Sequence, residues 1–563
     1  MDFKNEVVML LSSKITDLTQ EEILDAIEVP KNTSMGDYAF PCFKLAKTFR
    51  KAPNMIAAEI AESLESNVFE TIVPVAAYIN FTIDKGVYAK QVVEKVIELG
   101  DDYGHQAIGE NKTVIVEFSS VNIAKVMHIG HIRSAMIGNS LARIYDALDY
   151  NVVKINHLGD YGTQFGKMIE AYKLWGDKEV VEKNPVDELV KLYVKFHVEA
   201  EKDSTLDDKA REWFMKLEQG DEEATHLWQW MKDFSMIEFN RVYDLLDCEF
   251  DSFDGESFYS DKMPAILDEL REKKIVKKDA GAEIVDLEEY GMPPSLITKS
   301  DGSSLYVTRD IAAAVYRKKQ YDFYKNIYVV GAPQQLHFKQ WMQIVKLMGH
   351  EWADDCEHVM FGMVSMEDGK MSTREGRVVK LEDVLVKAKE SIKAVIEEKN
   401  PELENKDEVA RQVGVGAVVF QELFHNRIKD YVFSWEKMLS AEGESGPYVQ
   451  YAHARACSLI NNIEVGAAAV DYSILKDDAS MEVVRQLSKY EETIQDAARK
   501  YEPSIVTRYV TSLAQVFNTF YNAKRISDQT PEIKAARIAL VKAVKITIKN
   551  ALHLITIEAP EQL

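Results

Sequence analysis

A chain of 563 residues, 46% hydrophobic and 28% charged, has room for several domains with their own cores and the make-up of an ordinary globular protein. No run of about 18 apolar residues marks a membrane span, and Cys42, Cys248, Cys356 and Cys457 stand far apart without a CxxC pair, which argues against zinc and a disulfide framework. The net charge of −24 argues against a polyanionic partner only until it is mapped: 171–290 carries about −15 of it, while 501–563 carries about +3.

Met1 to Glu6 opens no signal peptide, so the cytoplasm is the expected compartment. Helical periodicity with one short strand at 76–83 predicts a small α/β domain over 1–104. The β-branched run Thr113-Val114-Ile115-Val116-Glu117-Phe118 then reads as a buried strand. Ile132, Ala135, Met136, Leu141, Ile144, Tyr145 and Leu148 recur at helical spacing, and 151–156 reads as the next strand, which makes a βαβ unit. Charged helical sequence from about 174 to 290 predicts an insertion. Alternation resumes with a helix at 311–315 and strands at 326–330 and 358–364. The stretch 105–380 therefore predicts a Rossmann-type parallel-sheet domain carrying a helical insertion. Beyond 380 no strand pattern remains, and 381–563 predicts a helix bundle.

Where the first strand turns into its helix stands His128-Ile129-Gly130-His131. Unpaired backbone N–H groups and the helix dipole favour an anion there, and Gly130 lets a nucleotide approach the backbone. Two imidazoles can donate hydrogen bonds to a phosphate whose charge grows during reaction. Far downstream, Gly369-Lys370-Met371-Ser372-Thr373-Arg374-Glu375-Gly376-Arg377 is a basic, glycine-bounded loop suited to bringing a cation and a hydroxyl onto a triphosphate.

This ordered pair resembles the HIGH and KMSKS motifs of the class I aminoacyl-tRNA synthetases, and the surrounding residues narrow the resemblance to the arginyl-tRNA synthetases. Glu117-Phe118-Ser119-Ser120-Val121-Asn122-Ile123-Ala124-Lys125-Val126-Met127-His128 is similar to that family's approach to the first motif. So are Asn156-His157-Leu158-Gly159-Asp160-Tyr161-Gly162, Tyr306-Val307-Thr308-Arg309-Asp310, Gln334 with Leu336-His337, and Gly446-Pro447-Tyr448-Val449-Gln450-Tyr451-Ala452-His453-Ala454-Arg455. Gly36-Asp37-Tyr38 and Tyr78-Ile79-Asn80-Phe81 match its extra first domain, so the resemblance spans essentially the whole chain.

The resemblance implies ATP as substrate, Mg²⁺ accompanying it, L-arginine and a cognate tRNA as partners, no membrane, and a monomer. It implies that His128, Gly130, His131, Lys370, Met371, Ser372 and Arg374 hold ATP. The expected catalytic set is His128, His131, Lys125 and Lys370, and no protein-bound metal is expected. Arginine is a planar cation with five donors, so its pocket needs acceptors set around a fork. Asp310 is the expected bidentate partner, with Tyr306 alongside and Glu117 adding negative charge. Ser120, Asn122 and Gln334 resemble the positions that take the amino and carboxylate end, with His131 beside them. The segment 1–104 is expected to touch the tRNA and 381–563 to read the anticodon.

Two departures stand out. Val121 occupies a place where the family usually has proline, and Thr373 occupies that of the second lysine of KMSKS. Lys125 is the expected replacement for that lysine. Some readings stay open: Asp310 can cap the helix that follows it, Tyr448, Tyr451 and His453 can be bundle core, and Gly36-Asp37-Tyr38 can be a turn. Two other functions compete, a small-molecule nucleotidylyltransferase and a catalytically silent relative that binds RNA. The arginine pocket counts against the first, and intact His128, His131 and Lys370 count against the second.

Overall fold

The computed structural model describes residues 3–30, 32, 35–299, 306–366, 379–440, 442–466 and 469–563. They pack into two compact units. The first comprises Met1–Tyr103, Arg455–Lys489 and Ser512–Thr547. Its antiparallel sheet has the order β1-β3-β2, formed by β1 (Tyr38–Pro41), β2 (Phe69–Val75) and β3 (Tyr78–Ile83). Helices Phe3–Ser12 and Pro53–Ser63 supply Val7, Leu11, Ile56 and Ile60 to a core shared with Phe40, Ile79 and Phe81. The strand expected at 76–83 begins at Tyr78, because Ala76 (φ 52°) turns the chain back from β2. Gly36 adopts φ +96°, and a Cβ there would lie 2.7 Å from the Phe81 carbonyl oxygen. The Asp37 carboxylate accepts from Ile83 N–H at 2.8 Å. Gly36-Asp37 is thus a bend that leads into β1 and locks onto β3. Within the same unit Tyr88 Oη meets Ser488 Oγ at 2.7 Å, and Lys476 pairs with Asp84 at 2.7 Å.

The second unit comprises Gly104–Ala454, Tyr490–Thr511 and Ile548–Leu563. Its central sheet is fully parallel, in the order β10-β9-β4-β5, from β4 (Thr113–Glu117), β5 (Asn151–Ile155), β9 (Lys325–Tyr328) and β10 (Cys356–His358). Val114, Ile115 and Val116 are wholly buried, as a parallel central strand requires. The crossover from β4 to β5 is helix α1 (Ile132–Ala147), so the expected βαβ unit is present. After β5 the chain runs through helices to the long α2 (Glu222–Leu245). The predicted insertion is helical to that point. It then ends in a meander of β6 (Val276–Asp279), β7 (Ala282–Val285) and β8 (Ser295–Thr298). Ala280 (φ 46°) and Gly281 (φ 86°) form the tight turn between β6 and β7.

Helix α3 (Tyr306–Tyr321) leads into β9. Of the strand expected at 358–364, only Cys356–His358 joins the main sheet; the chain then breaks away into β11 (Val364–Met366). Sequence beyond 380 is not strand-free. Between α5 (Lys406–Phe424) and the segments that follow lies β12 (Tyr431–Phe433), paired in parallel with β11. Three residues give too little alternation to register as a strand, and tertiary contact makes it one. Arg133 of α1 secures this region: its guanidinium, 1% exposed, pairs with Glu422 at 2.8 Å and donates to the carbonyls of Lys429 and Arg427. Burial pushes the Glu422 carboxyl up to about 7, while Arg133 and the Tyr431 hydroxyl oppose the rise. No helix among the described residues is long and apolar enough to cross a membrane.

Candidate active site

The site lies at the carboxyl ends of β4, β5 and β9, where open parallel sheets place their ligands. The segment leaving β4 is held in an unusual conformation: Ser119 (φ 69°), Ser120 (φ 49°) and Ala124 (φ 58°) are all left-handed. Ser119 N–H donates to Ser134 Oγ at 2.9 Å, and Ser134 donates in turn to the Val329 carbonyl at 2.8 Å. Asn122 forms a bridge with Gly159. A Cβ on Gly159 would lie 2.2 Å from Asn122 Oδ1, so only glycine leaves that amide its place. Ser120 Oγ is buried and has no hydrogen-bond partner.

Further along, the His128 and His131 rings meet at a tilt of 41° with centroids 3.9 Å apart. His131 Nδ1 accepts from His128 N–H at 3.0 Å, and His128 Nδ1 accepts from Gly130 N–H at 3.1 Å. Both inner nitrogens are therefore acceptors, which puts the proton of each neutral ring on Nε2. Burial, with His128 close by, drives His131 down to about 3. Burial and then the Lys125 ammonium lower His128. The pair consequently offers two neutral N–H donors at working pH, held in one tautomer. Lys125 is half-buried, and desolvation lowers its pKa.

Ile129 N–H donates to the Val379 carbonyl at 3.1 Å and Leu381 N–H to the Met127 carbonyl at 2.9 Å. The chain after residue 378 is thus stitched to the histidine turn, immediately before helix α4 (Leu381–Lys399). Lys370, Met371, Ser372, Thr373 and Arg374 lie outside the described residues.

Tyr306 and Asp310 occupy successive turns of α3, with the Tyr306 ring 63% exposed. The Asp310 carboxylate contacts His337 Nε2. Gln334 ends a short turn after β9, the strand adjacent to β4, and its side chain is exposed. Glu117 is placed otherwise than expected. Its carboxylate meets Arg317 Nη1 at 2.5 Å in a pair that is buried on both sides. The negative charge it was expected to add is already matched by the protein.

A second acid lies near Asp310. Glu256 sits 3.3 Å from Arg309 Nη1. Burial pushes its carboxyl up to about 7, with Asp310 and Asp160 adding to the rise and Arg309 opposing it. Asp160 itself is buried and held by Lys232 at 2.7 Å and by Ser257 Oγ at 2.8 Å. Nothing periodic flags Glu256 in Asp254-Gly255-Glu256-Ser257. Arg317 did carry a signal, since it follows Asp310 by seven residues and so shares its helix face. Among the residues left open, His453 is core, 1% exposed with Nδ1 at 2.9 Å from the Pro560 carbonyl, whereas Tyr451 is 47% exposed.

Known proteins share this arrangement along the whole chain. The model for the class I (R) tRNA synthetase catalytic domain matches residues 92–435. The arginyl tRNA synthetase N terminal domain matches 5–83, and the DALR anticodon binding domain matches 449–563. The arginine–tRNA ligase of Clostridioides difficile (strain 630) is 57% identical over 564 residues, covering all of both chains. That of Halothermothrix orenii is 55% identical over 565 residues, again with full coverage. The solved structure of Thermus thermophilus arginyl-tRNA synthetase aligns with a TM-score of 0.77 at 25% identity, over 95% of this chain and 96% of that one. Identity of this size across every residue leaves one assignment: the chain belongs to the arginyl-tRNA synthetases of class I.

Proposed function

We propose that this chain is an arginine–tRNA ligase that works in two steps at the carboxyl edge of its parallel sheet. The arginine carboxylate attacks the α-phosphate of ATP in line, giving arginyl-adenylate and pyrophosphate. The terminal adenosine hydroxyl of the tRNA then attacks the arginyl carbonyl, forming the ester and releasing AMP. The protein contributes position and electrostatics, with little covalent chemistry of its own. The observation that carries this reading is the histidine turn: two Nε2–H donors in a fixed tautomer, with Lys125 close enough to His128 to influence its protonation.

Lys125 and Lys370 share the triphosphate, with Gly130, Met371 and Ser372 lining it and Arg374 outside them. Mg²⁺ enters on the phosphates of ATP. Asp310 and Glu256 receive the guanidinium, Tyr306 covers it, and Ser120, Asn122 and Gln334 hold the amino and carboxylate end beside His131. A neutral side chain is rejected because it offers these carboxyl groups no cationic partner, and lysine because a point cation does not satisfy a fork. The 449–563 region reads the anticodon and the first 104 residues touch the tRNA body. All assigned groups lie on one chain, which acts as a monomer in the cytoplasm.

Pyrophosphate exchange with arginine, with and without tRNA, tests the reading. Arginine-dependent exchange is expected when tRNA is present. No exchange under either condition refutes the ligase, and exchange without tRNA removes only the requirement for tRNA.

A further inference from the structure

The left-handed serines at the arginine end of the site are held from outside the sheet, by helix α2 of the insertion. Tyr243 of α2 is 2% exposed, and its hydroxyl lies 2.8 Å from Ser119 Oγ and 2.9 Å from Asn156 Nδ2. Ser120 N–H donates to Asn156 Oδ1 at 3.2 Å. A backbone amide can only donate, which fixes the orientation of the Asn156 amide. Asn156 must present its oxygen to Ser120 and its NH₂ to Tyr243. The phenol oxygen thus accepts from Asn156 and shares a second hydrogen bond with Ser119 Oγ, in which either hydroxyl can donate. Burial raises the phenol to about 12, so the hydroxyl keeps its proton.

One turn-pair earlier on the same helix, Ser235 Oγ accepts from Ala124 N–H at 2.9 Å. The three non-glycine residues with positive φ in this segment, Ser119, Ser120 and Ala124, are each next to or part of a contact made by α2 or by Asn156. Such conformations persist only where their surroundings over-determine them. Phe250 packs the arrangement further, with its ring 5.0 Å from Tyr243 and 4.6 Å from Phe118. What the brace positions is Ser120, whose buried Oγ has no hydrogen-bond partner and which is assigned to the amino-acid end.

We infer that Tyr243, relaying through Ser119 and Asn156, is a positioning residue for the amino and carboxylate end of arginine, and that α2 thereby ties the insertion to amino-acid recognition. The inference rests on Ser120 contacting that end. Tyr243 does not touch substrate, so its loss acts on one end of the ligand only.

The test compares arginine KM, ATP KM and the inhibition constant of propylguanidine, which carries the side-chain fork without the amino-acid end. Tyr243→Phe is expected to raise arginine KM about tenfold, the factor that one lost buried hydrogen bond is worth. ATP KM and the propylguanidine constant should stay within about twofold. Ser119→Ala should reproduce the pattern and decides the matter if Tyr243→Phe does not fold. Parallel rises in arginine KM and the propylguanidine constant mean general loosening and overturn the inference. Ser120→Ala separates the two layers. If it raises arginine KM while Tyr243→Phe and Ser119→Ala do not, the brace is wrong and the contact stands. If Ser120→Ala changes nothing, the contact is wrong and the inference falls with it.

Discussion

The guanidinium of Arg317 lies 2.5 Å from the Glu117 carboxylate, so the protein keeps an arginine of its own beside a pocket assigned to another. The pair is closed off from solvent, and Arg317 Nε has no hydrogen-bond partner. Removing one member leaves a buried charge unmatched, which costs more than the pair itself contributes. Arg317→Met is therefore expected to lose ~3–5 kcal/mol of stability in urea unfolding. The double variant with Glu117→Gln should recover part of that loss. A double variant no more stable than the single one refutes the pairing as a structural unit.

Glu256 gives arginine binding a pH signature. Its folded value of about 7 stands above the ordinary 4.5, so the group favours folding below 4.5 and that contribution is lost as pH rises through 7. A bound guanidinium favours the carboxylate and expels the proton. Calorimetry in two buffers of different ionisation enthalpy should then find close to one proton released per arginine near pH 6 and almost none near pH 8.5. Glu256→Gln should abolish the release and raise arginine KM. Proton release that persists in that variant assigns the titration to another group.

What the sequence made legible follows from how local each signal is. The strand-turn-helix at 113–148 was readable because Val114, Ile115 and Val116 alternate with nothing polar and His128 sits at a helix start. Asp310 and Tyr306 were readable only through the resemblance of Tyr306-Val307-Thr308-Arg309-Asp310 to the family, because the helical pattern was legible from Ile311 whereas α3 begins at Tyr306. Glu256 and Tyr243 owe their roles to partners 53 and 124 residues away in sequence, and no local pattern encodes such a distance. Glu117 was misplaced for the same reason, since its neutralising partner is invisible until α3 is folded against β4. The β6–β7 hairpin was hidden by its charge: Lys277, Lys278, Asp279 and Glu283 read as a continuation of the acidic helices.

His131 should make the enzyme sensitive to acid through folding as well as catalysis. Its folded value of about 3 lies below the ordinary 6.5, so the unfolded chain takes up a proton first. Stability from this group is complete above 6.5 and is lost as pH falls from there towards 3. Thermal melts should show a steeper fall between pH 6.5 and 5 in the native chain than in His131→Asn. The same variant should lower arginine activation about a hundredfold, as removal of one charge-stabilising donor does. Equal pH slopes reject the neutral, buried histidine.

Lys125 is the group on which the departure at Thr373 turns. Its ammonium is half-buried, desolvation lowers its pKa, and it stands near enough to His128 to lower that imidazole too. A partly desolvated cation beside two N–H donors interacts with a triphosphate more strongly than one in open solvent. In single-turnover formation of the adenylate, Lys125→Ala is expected to slow activation about a hundredfold, and Arg374→Ala by distinctly less. Arginine binding should be unchanged in both, because both groups are assigned to the triphosphate. Lys125→Arg should restore part of the rate, since it keeps the charge. The reverse ranking, with Arg374→Ala the slower enzyme, would show that compensation for Thr373 comes from its own loop.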